Sequence, residues 1–269
     1  MKRQGFWIRR LFVRGVLCAL AAAFLHVETP APVVAEDSYE ACCRRRLLPR
    51  RIARRRRAST PSVAQSPQPK WTYLVDGKSL NNWEITDFAG HGDVRLKDGG
   101  VLLETGAGLT GLTWKGQPLP TTDYEVRLEA QRVDGVDFFC GVTFPVGKSH
   151  CSFICGGWGG AVVGLSSVDD FDASENDTTK YMKFDDKKWY KFRIRVTDTR
   201  IETWIDGKLV VNQPIKNRRV GVRFDIEQAC PFGLTSWQTT AAIRNVRLRK
   251  LSAAEVKEAE NNKRKEFSL

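Results

Sequence analysis

Between Trp189 and Val211 the chain reads WYKFRIRVTDTRIETWIDGKLVV, alternating apolar and polar residues on both sides of a short polar break. Successive side chains of a strand leave opposite faces, so Phe192, Ile194 and Val196 share one face and Lys191, Arg193 and Arg195 the other. The pattern predicts two half-buried antiparallel strands. The second carries Ile201, Thr203 and Ile205 and closes on the hairpin-type turn Asp206-Gly207 ahead of Leu209 to Val211.

The same reading extends along the chain. Trp71 to Val75 is a strand ended by Asp76-Gly77, and Val94 to Leu96 with Val101 to Glu104 bracket Lys97-Asp98-Gly99-Gly100 as a hairpin. Tyr124 to Arg132 places Val126, Leu128 and Ala130 on a dry face and Glu125, Arg127, Glu129 and Gln131 on a polar one. Further strands are predicted at Asp137 to Val146, Ser149 to Cys155, Ala161 to Ser166, Val220 to Glu227, Gly233 to Trp237 and Ala241 to Leu251. About a dozen strands without an intervening helix predict an all-β sandwich of two antiparallel sheets over residues 71–251, its dry faces together and a hydrated face forming a trough. Ser252-Ala-Ala-Glu255 is a capping box that opens a short charged helix in the tail, residues 252–269. Its apolar face is thin, so it is expected to lie loosely or fray.

Charge divides the chain. Residues 1–70 hold 15 Lys and Arg against 4 Asp and Glu, whereas residues 71–269 hold 28 against 27. Nucleic-acid binding needs basic residues gathered on a folded face, and a nearly neutral domain argues against that class. Residues 1–35 read as an export signal: basic residues, an apolar run from Gly15 to Leu25, then small residues up to a cleavage point after Ala35. Eleven apolar residues fall short of the about 20 that span a bilayer. Arg9-Arg10-Leu11-Phe12-Val13-Arg14 is similar to the twin-arginine export pattern, with Ile8 where Ser or Thr is usual; an ordinary secretory signal and an uncleaved anchor stand as alternatives. Residues 36–70 form a basic arm and a Ser/Pro/Gln linker, read either as a solvated spacer or as a contact with an anionic membrane or envelope polymer. The expected location is periplasmic or extracellular.

Candidate chemistry is sparse. In CGGWGGAVVG, Cys155 to Gly164, glycines on both sides of Trp158 predict a loop that presents an indole face, on which the C–H face of a sugar ring packs; a lid folded onto the core is the other reading. Asp169 to Asp177 is an acidic loop. Its spacing resembles the start of a helical calcium loop, but Glu175 stands where Gly is needed and Tyr181 where Glu closes the site. That leaves a looser calcium site at Asp170 and Asp172, or a solvated loop; no other metal or cofactor is expected. Glycoside chemistry uses two carboxylates about 5 to 10 Å apart across a cleft. Strand parity offers Glu125 and Glu129 on one polar face, Asp137 at the head of the next strand, and Asp225 with Glu227 beside Arg223, about 6.5 to 7 Å apart if extended. Cys140, Cys151, Cys155 and Cys230 fall in the domain; a bridge from Cys140 to Cys151 or Cys155 is expected, with buried free thiols as the alternative. Serine-hydrolase elbows, HExxH pairs, phosphate loops and dinucleotide fingerprints are absent from the sequence.

Tyr73-Leu-Val-Asp-Gly-Lys-Ser-Leu-Asn-Asn-Trp83, Lys97-Asp-Gly-Gly-Val-Leu, Asp123-Tyr-Glu-Val-Arg-Leu-Glu129, Trp189-Tyr-Lys-Phe-Arg, Trp204-Ile-Asp-Gly-Lys-Leu-Val and Ile243-Arg-Asn-Val-Arg-Leu follow in order. Together they resemble the 3-keto-disaccharide hydrolase domain family over about residues 71–251. The resemblance implies a concanavalin-like jelly roll, export and a sugar-derived ligand. It departs at two strands: Val136-Asp-Phe-Phe-Cys-Gly-Val-Thr143 replaces the family's glycine-rich "N-S-G-I-F-F-R", and Gly233-Leu-Thr-Ser-Trp237 replaces a histidine-bearing one. Hydrolysis of a 3-keto-glycoside would use Asp137, Asp225 or Glu227 as base or acid and Arg223 on the keto oxygen. Trp158 or Trp237 would stack on the ring, with Glu129 and Gln131 as further substrate contacts. The alternative is a non-catalytic carbohydrate-binding or cell-surface module on the same fold.

Overall fold

The structure is a computed structural model and describes residues 70–266. The export signal and the arginine block, with Cys18, Cys42 and Cys43, lie outside the described residues. The described strands form two antiparallel sheets. The first holds β1 (Thr72–Tyr73), β3 (Val94–Lys97), β4 (Gly100–Leu103), β6 (Tyr124–Gly135), β11 (Tyr190–Val196), β12 (Arg200–Ile205), β13 (Lys208–Pro214) and β15 (Thr239–Lys250). The second holds β2 (Trp83–Ile85), β5 (Leu109–Trp114), β7 (Cys140–Val146), β8 (Ser149–Gly156), β9 (Val162–Ser166), β10 (Lys180–Tyr181) and β14 (Gly233–Trp237). Their orders are β13-β12-β11-β6-β15-β4-β3, with β1 also on β15, and β10-β9-β8-β7-β14-β5-β2. Local hairpins such as β7–β8–β9 combine with long-range pairings such as β6 with β15, giving the expected jelly-roll sandwich.

The period-2 pattern chose the dry faces correctly. Val126 and Leu128 of β6, Phe192 and Ile194 of β11, and Val142 and Phe153 of the second sheet share one buried core. Truncating such a phenylalanine to Ala costs about 3–5 kcal/mol. Tyr124 is buried among them and its hydroxyl donates to the Pro145 carbonyl at 2.6 Å, a hydrogen bond from one sheet to the other. Burial, and then the neighbouring Cys151, hold that phenol well above its ordinary pKa.

The polar face of the first sheet is not the wet trough expected. Glu125, Arg195 and Glu202 are buried on it; Arg195 meets Glu202 at 2.5 Å, and Glu125 receives Arg127 and Arg193, each at 2.6 Å, and Arg249 at 3.3 Å. The C-terminal helix α1 (Ala253–Glu266) helps to dry this face, and it docks rather than frays. Ala259 is buried, its carbonyl accepts from Arg200 at 3.4 Å, and Arg249 grips Glu255 at 2.6 Å. The capping box forms as read: Ser252 N–H donates to Glu255 Oε2 at 2.9 Å and Glu255 N–H to Ser252 Oγ at 3.4 Å. Ion pairing and capping supply what the thin apolar face lacks.

Three further expectations change. Val220 to Glu227 is not a strand; Phe224–Ala229 is a short 3₁₀ helix that buries Ile226 and Ala229 three residues apart. The strands β2, β5 and β10 escaped the sequence reading: Gly111 interrupts the alternation of β5, and β2 and β10 are only three and two residues long. The four domain cysteines are free thiols. Cys140 stands opposite Cys155 in the β7–β8 register, whereas Cys151 stands opposite Phe144. Burial pushes the Cys151 thiol up to about 12, and burial with the adjacent Cys140 raises that of Cys155.

Candidate functional site

Outward positions of the second sheet carry small residues at Gly111, Gly141, Gly164 and Gly233 between apolar ones at Leu109, Ile154 and Trp237. A Cβ on Gly233 would lie 2.6 Å from Ala229, so glycine there lets the 3₁₀ helix rest directly on the sheet. Thr113 Oγ1 ties that helix down by donating to the Gln228 carbonyl at 2.9 Å. Between the helix and the Trp158 loop a cavity of about 240 Å³ remains, lined by Leu109, Asp137, Phe138, Ile154, Trp158, Arg223, Asp225, Ile226 and Trp237. Its floor and walls are mainly apolar, and its polar groups are few and convergent, as in small-molecule sites generally.

Asp137 is fixed by backbone. Its Oδ1 accepts from Phe138 N–H at 2.7 Å and its Oδ2 from Gly159 N–H at 3.0 Å, while its own N–H donates to Thr239 Oγ1 at 3.0 Å. Gly159 lies in the single turn Gly157–Gly160 that joins β8 to β9. Trp158 has φ 49, and Gly159 and Gly160 have φ 84 and 106, values that glycine adopts freely and an L side chain resists. This turn lifts the indole out half-exposed and aims an N–H at the carboxylate. Each oxygen keeps a lone pair for a substrate.

Arg223 faces the same space. Its Nε and Nη2 donate to the two oxygens of Asp225 at 3.2 and 3.3 Å, and its Nη1 donates to Asp172. Three of its five N–H groups are thereby used and two remain. Desolvation opposes the charge, but the bonds and charges of Asp225 and Asp172 outweigh it and raise the guanidinium above its ordinary pKa. Asp172 is itself held by Ser166 Oγ at 3.1 Å, and Asn176 braces the loop through the carbonyls of Leu165 and Asp172, both at 2.8 Å.

A family model described as the 3-keto-alpha-glucoside-1,2-lyase-like domain matches residues 70–249. The chain belongs to this family. No curated protein matches it. Among solved structures, the carbohydrate binding module CBM66 from Bacillus subtilis is 14% identical, with 63% of this chain and 96% of that chain covered and a TM-score of 0.43. Crh5 transglycosylase in complex with NAG is 13% identical, with 68% and 84% covered and a TM-score of 0.49. These are remote likenesses of fold.

Of the residues singled out from the sequence, the lyase-like domain brings Asp137, Arg223, Asp225, Trp158 and Trp237 to one cavity. Glu227 is not among them: the 3₁₀ turn sends it to solvent, where its charge, after burial, helps push the Cys230 thiol up to about 11. Glu129 and Gln131 also lie elsewhere, on the outer face of the first sheet, and Glu129 is taken by Arg244 at 2.8 Å. Parity gave their face correctly but not which sheet carries the cavity. The calcium expectation at Asp170 and Asp172 meets arginines instead. Asp170 pairs with Arg219, Asp172 with Arg223, and Asp169 and Asp177 with Arg218 at 2.6 and 2.9 Å. Among the described residues no group of three or more His, Cys, Asp or Glu is placed to hold a metal ion. The sequence reading missed Leu109, Phe138, Ile154 and Ile226, although an apolar residue at outward parity, as Ile154 is between Phe153 and Cys155, was a usable signal.

Proposed function

We propose that this cavity takes a 3-keto-glycosyl ring and cleaves its glycosidic bond by elimination, in an exported protein. The observation that carries the reading is that a backbone-pinned carboxylate, a charged guanidinium with free N–H groups and two indoles line one space. The indoles of Trp158 and Trp237 cover the C–H face of the ring. A carbonyl at C3 acidifies the hydrogen on C2, and Asp137 takes that proton. The electron pair of the C2–H bond becomes an enolate whose oxygen Arg223 stabilises. The enolate then re-forms the carbonyl, places a double bond between C1 and C2 and expels the C1–O pair. Asp137 returns its proton to the departing oxygen, which leaves as an alcohol. Asp225 and Asp172 act by holding Arg223.

Enolisation is testable apart from cleavage. In D₂O the protein is expected to exchange the C2 hydrogen of a 3-keto-glucoside and release the aglycone, with both activities falling at least about 100-fold in Asp137→Asn, the range of general acid–base catalysis. Binding without exchange or release would refute the enzymatic reading. A non-catalytic sugar-binding module is the second reading, and the family's histidine-bearing strand being replaced here by one ending in Trp237 favours it. Saturable binding that Trp237→Ala abolishes, with no turnover, is its signature.

A further inference from the structure

The outer face of the first sheet holds another cavity, of about 460 Å³ against about 240 Å³ for the proposed sugar site, on the opposite side of the sandwich. Arg127, Lys191, Arg193 and Arg247 line it together with Trp204, and its one carboxylate is Glu129. That carboxylate is already engaged by Arg244 at 2.8 Å. Behind the wall, the buried Glu125 is shared by three guanidiniums, those of Arg127, Arg193 and Arg249. The backbone N–H of Lys191 donates to Asp206 Oδ1 at 2.9 Å, but neither its ammonium nor the Arg247 guanidinium forms an ion pair among the described residues, and the Arg247 Nε is buried without a hydrogen-bond partner. A β-bulge in β15, with Asn245 at φ 55, restores Arg247 to the face that Arg244 occupies. Positive charge is therefore concentrated at this cavity in a domain whose total charge is nearly balanced.

The arginines are also held in place. The Arg193 guanidinium lies 4.1 Å from the centre of the Trp204 ring, and that of Arg247 4.9 Å from the centre of Trp71. Stacking fixes the planar fork while leaving N–H groups at its edge, an arrangement suited to a carboxylate. It also occupies the ring faces. Nucleobases and neutral sugars, which bind by stacking on open aromatic faces, find these already covered. A concave site of this size suits a small charged unit better than a membrane surface.

We propose that this cavity binds an anionic sugar residue, a uronate of an acidic polysaccharide, independently of the cavity on the second sheet. The test is calorimetric titration of the full chain with trigalacturonate at low salt, with maltotriose, a single-stranded oligonucleotide and phosphatidylglycerol vesicles as comparison probes. Lys191→Glu and Arg247→Gln are each expected to weaken trigalacturonate binding about tenfold or more, the worth of one charge-assisted hydrogen bond. Arg95→Gln, which alters an exposed ion pair with Glu104, is expected to leave it unchanged and so controls for the loss of one positive charge elsewhere on the domain. Lys191 is exposed, so its variant reports on charge without disturbing the core even if Arg247→Gln fails to fold. Affinity unchanged in Lys191→Glu overturns the proposal, as does maltotriose binding that is equally tight and is weakened by the same variant. Oligonucleotide or vesicle binding that is tighter than trigalacturonate binding and is lost in the same variant overturns it in favour of that occupant.

Discussion

Replacing Glu125 by Gln removes the buried negative charge that three arginines share on the first sheet's outer face while keeping the side chain's shape. Glu125 has no solvent exposure, and it receives Arg127 Nε at 2.6 Å, Arg193 Nε at 2.7 Å and Arg249 Nη2 at 3.3 Å. An amide in its place turns one acceptor into a donor aimed at guanidinium N–H groups. Breaking a fully buried ion pair from one side costs about 3–5 kcal/mol. Arg127 and Arg193 are 42% and 29% exposed and regain hydration by turning outward, whereas Arg249, at 6%, relies on Glu255 alone. The expected loss is therefore about 2–3 kcal/mol, the buried figure discounted for two solvated partners. Urea denaturation followed by tryptophan fluorescence reads this as a lowered midpoint at unchanged slope. A loss below about 0.5 kcal/mol, the range of an ordinary surface substitution, refutes the reasoning and means that water reaches the cluster.

Glu255 is held down to about 2 by its bond to Arg249, against its burial and with help from Ser252. A carboxylate depressed in the folded state stabilises above its unfolded pKa, so the docking of α1 is expected to be complete above about pH 4.5 and to weaken as pH falls toward 2. Hydrogen exchange of the helix amides checks this, and Glu255→Gln abolishes the pH dependence. Cys151 and Cys155 are expected to resist alkylation in the native protein at pH 8, with the half-buried Cys230 reacting slowly, since only the thiolate reacts; mass spectrometry before and after unfolding distinguishes them. Gly160→Ala puts a Cβ 2.9 Å from the Val136 carbonyl at φ 106 and is expected to destabilise the turn by about 1–3 kcal/mol. Loss of ligand binding at the Trp158 cavity should accompany that change.

Alternation made most of the sandwich legible, because each dry face repeats every second residue and both sheets bury one face against the other. It failed where another period or a tight approach took over. Phe224 to Ala229 alternates on paper, yet Ile226 and Ala229 bury at a spacing of three, and that turn sends Asp225 to the cavity and Glu227 to water. Trp158 was legible through its glycines, whose conformational freedom is written in the residue type. The partnership of Arg223 with Asp172 was not, since it spans 51 residues and depends on where the acidic loop folds. The same holds for Glu129: its outward direction was readable, but the sheet that would carry the cavity is a property of the assembled layers.

What places the cavity on the second sheet is the size of the outward side chains. On the first sheet most of those positions hold long charged residues that pair with one another under indoles and α1. On the second, short hydroxyls satisfy each other across strands, Thr86 with Thr113 and Thr143 with Ser152, both at 2.8 Å. Satisfied in this way they need no water, so loops can lie flat on them. The floor then appears only where Leu109, Ile154 and Trp237 replace hydroxyls or glycines. Such a floor offers a ligand an apolar face, and the rim at Asp137 and Arg223 offers one acceptor and one cation. A sugar ring, with C–H groups on one face and oxygens at its edge, meets both requirements; a flat aromatic ligand would leave the Asp137 oxygens and the free Arg223 N–H groups without partners, at the desolvation cost of each.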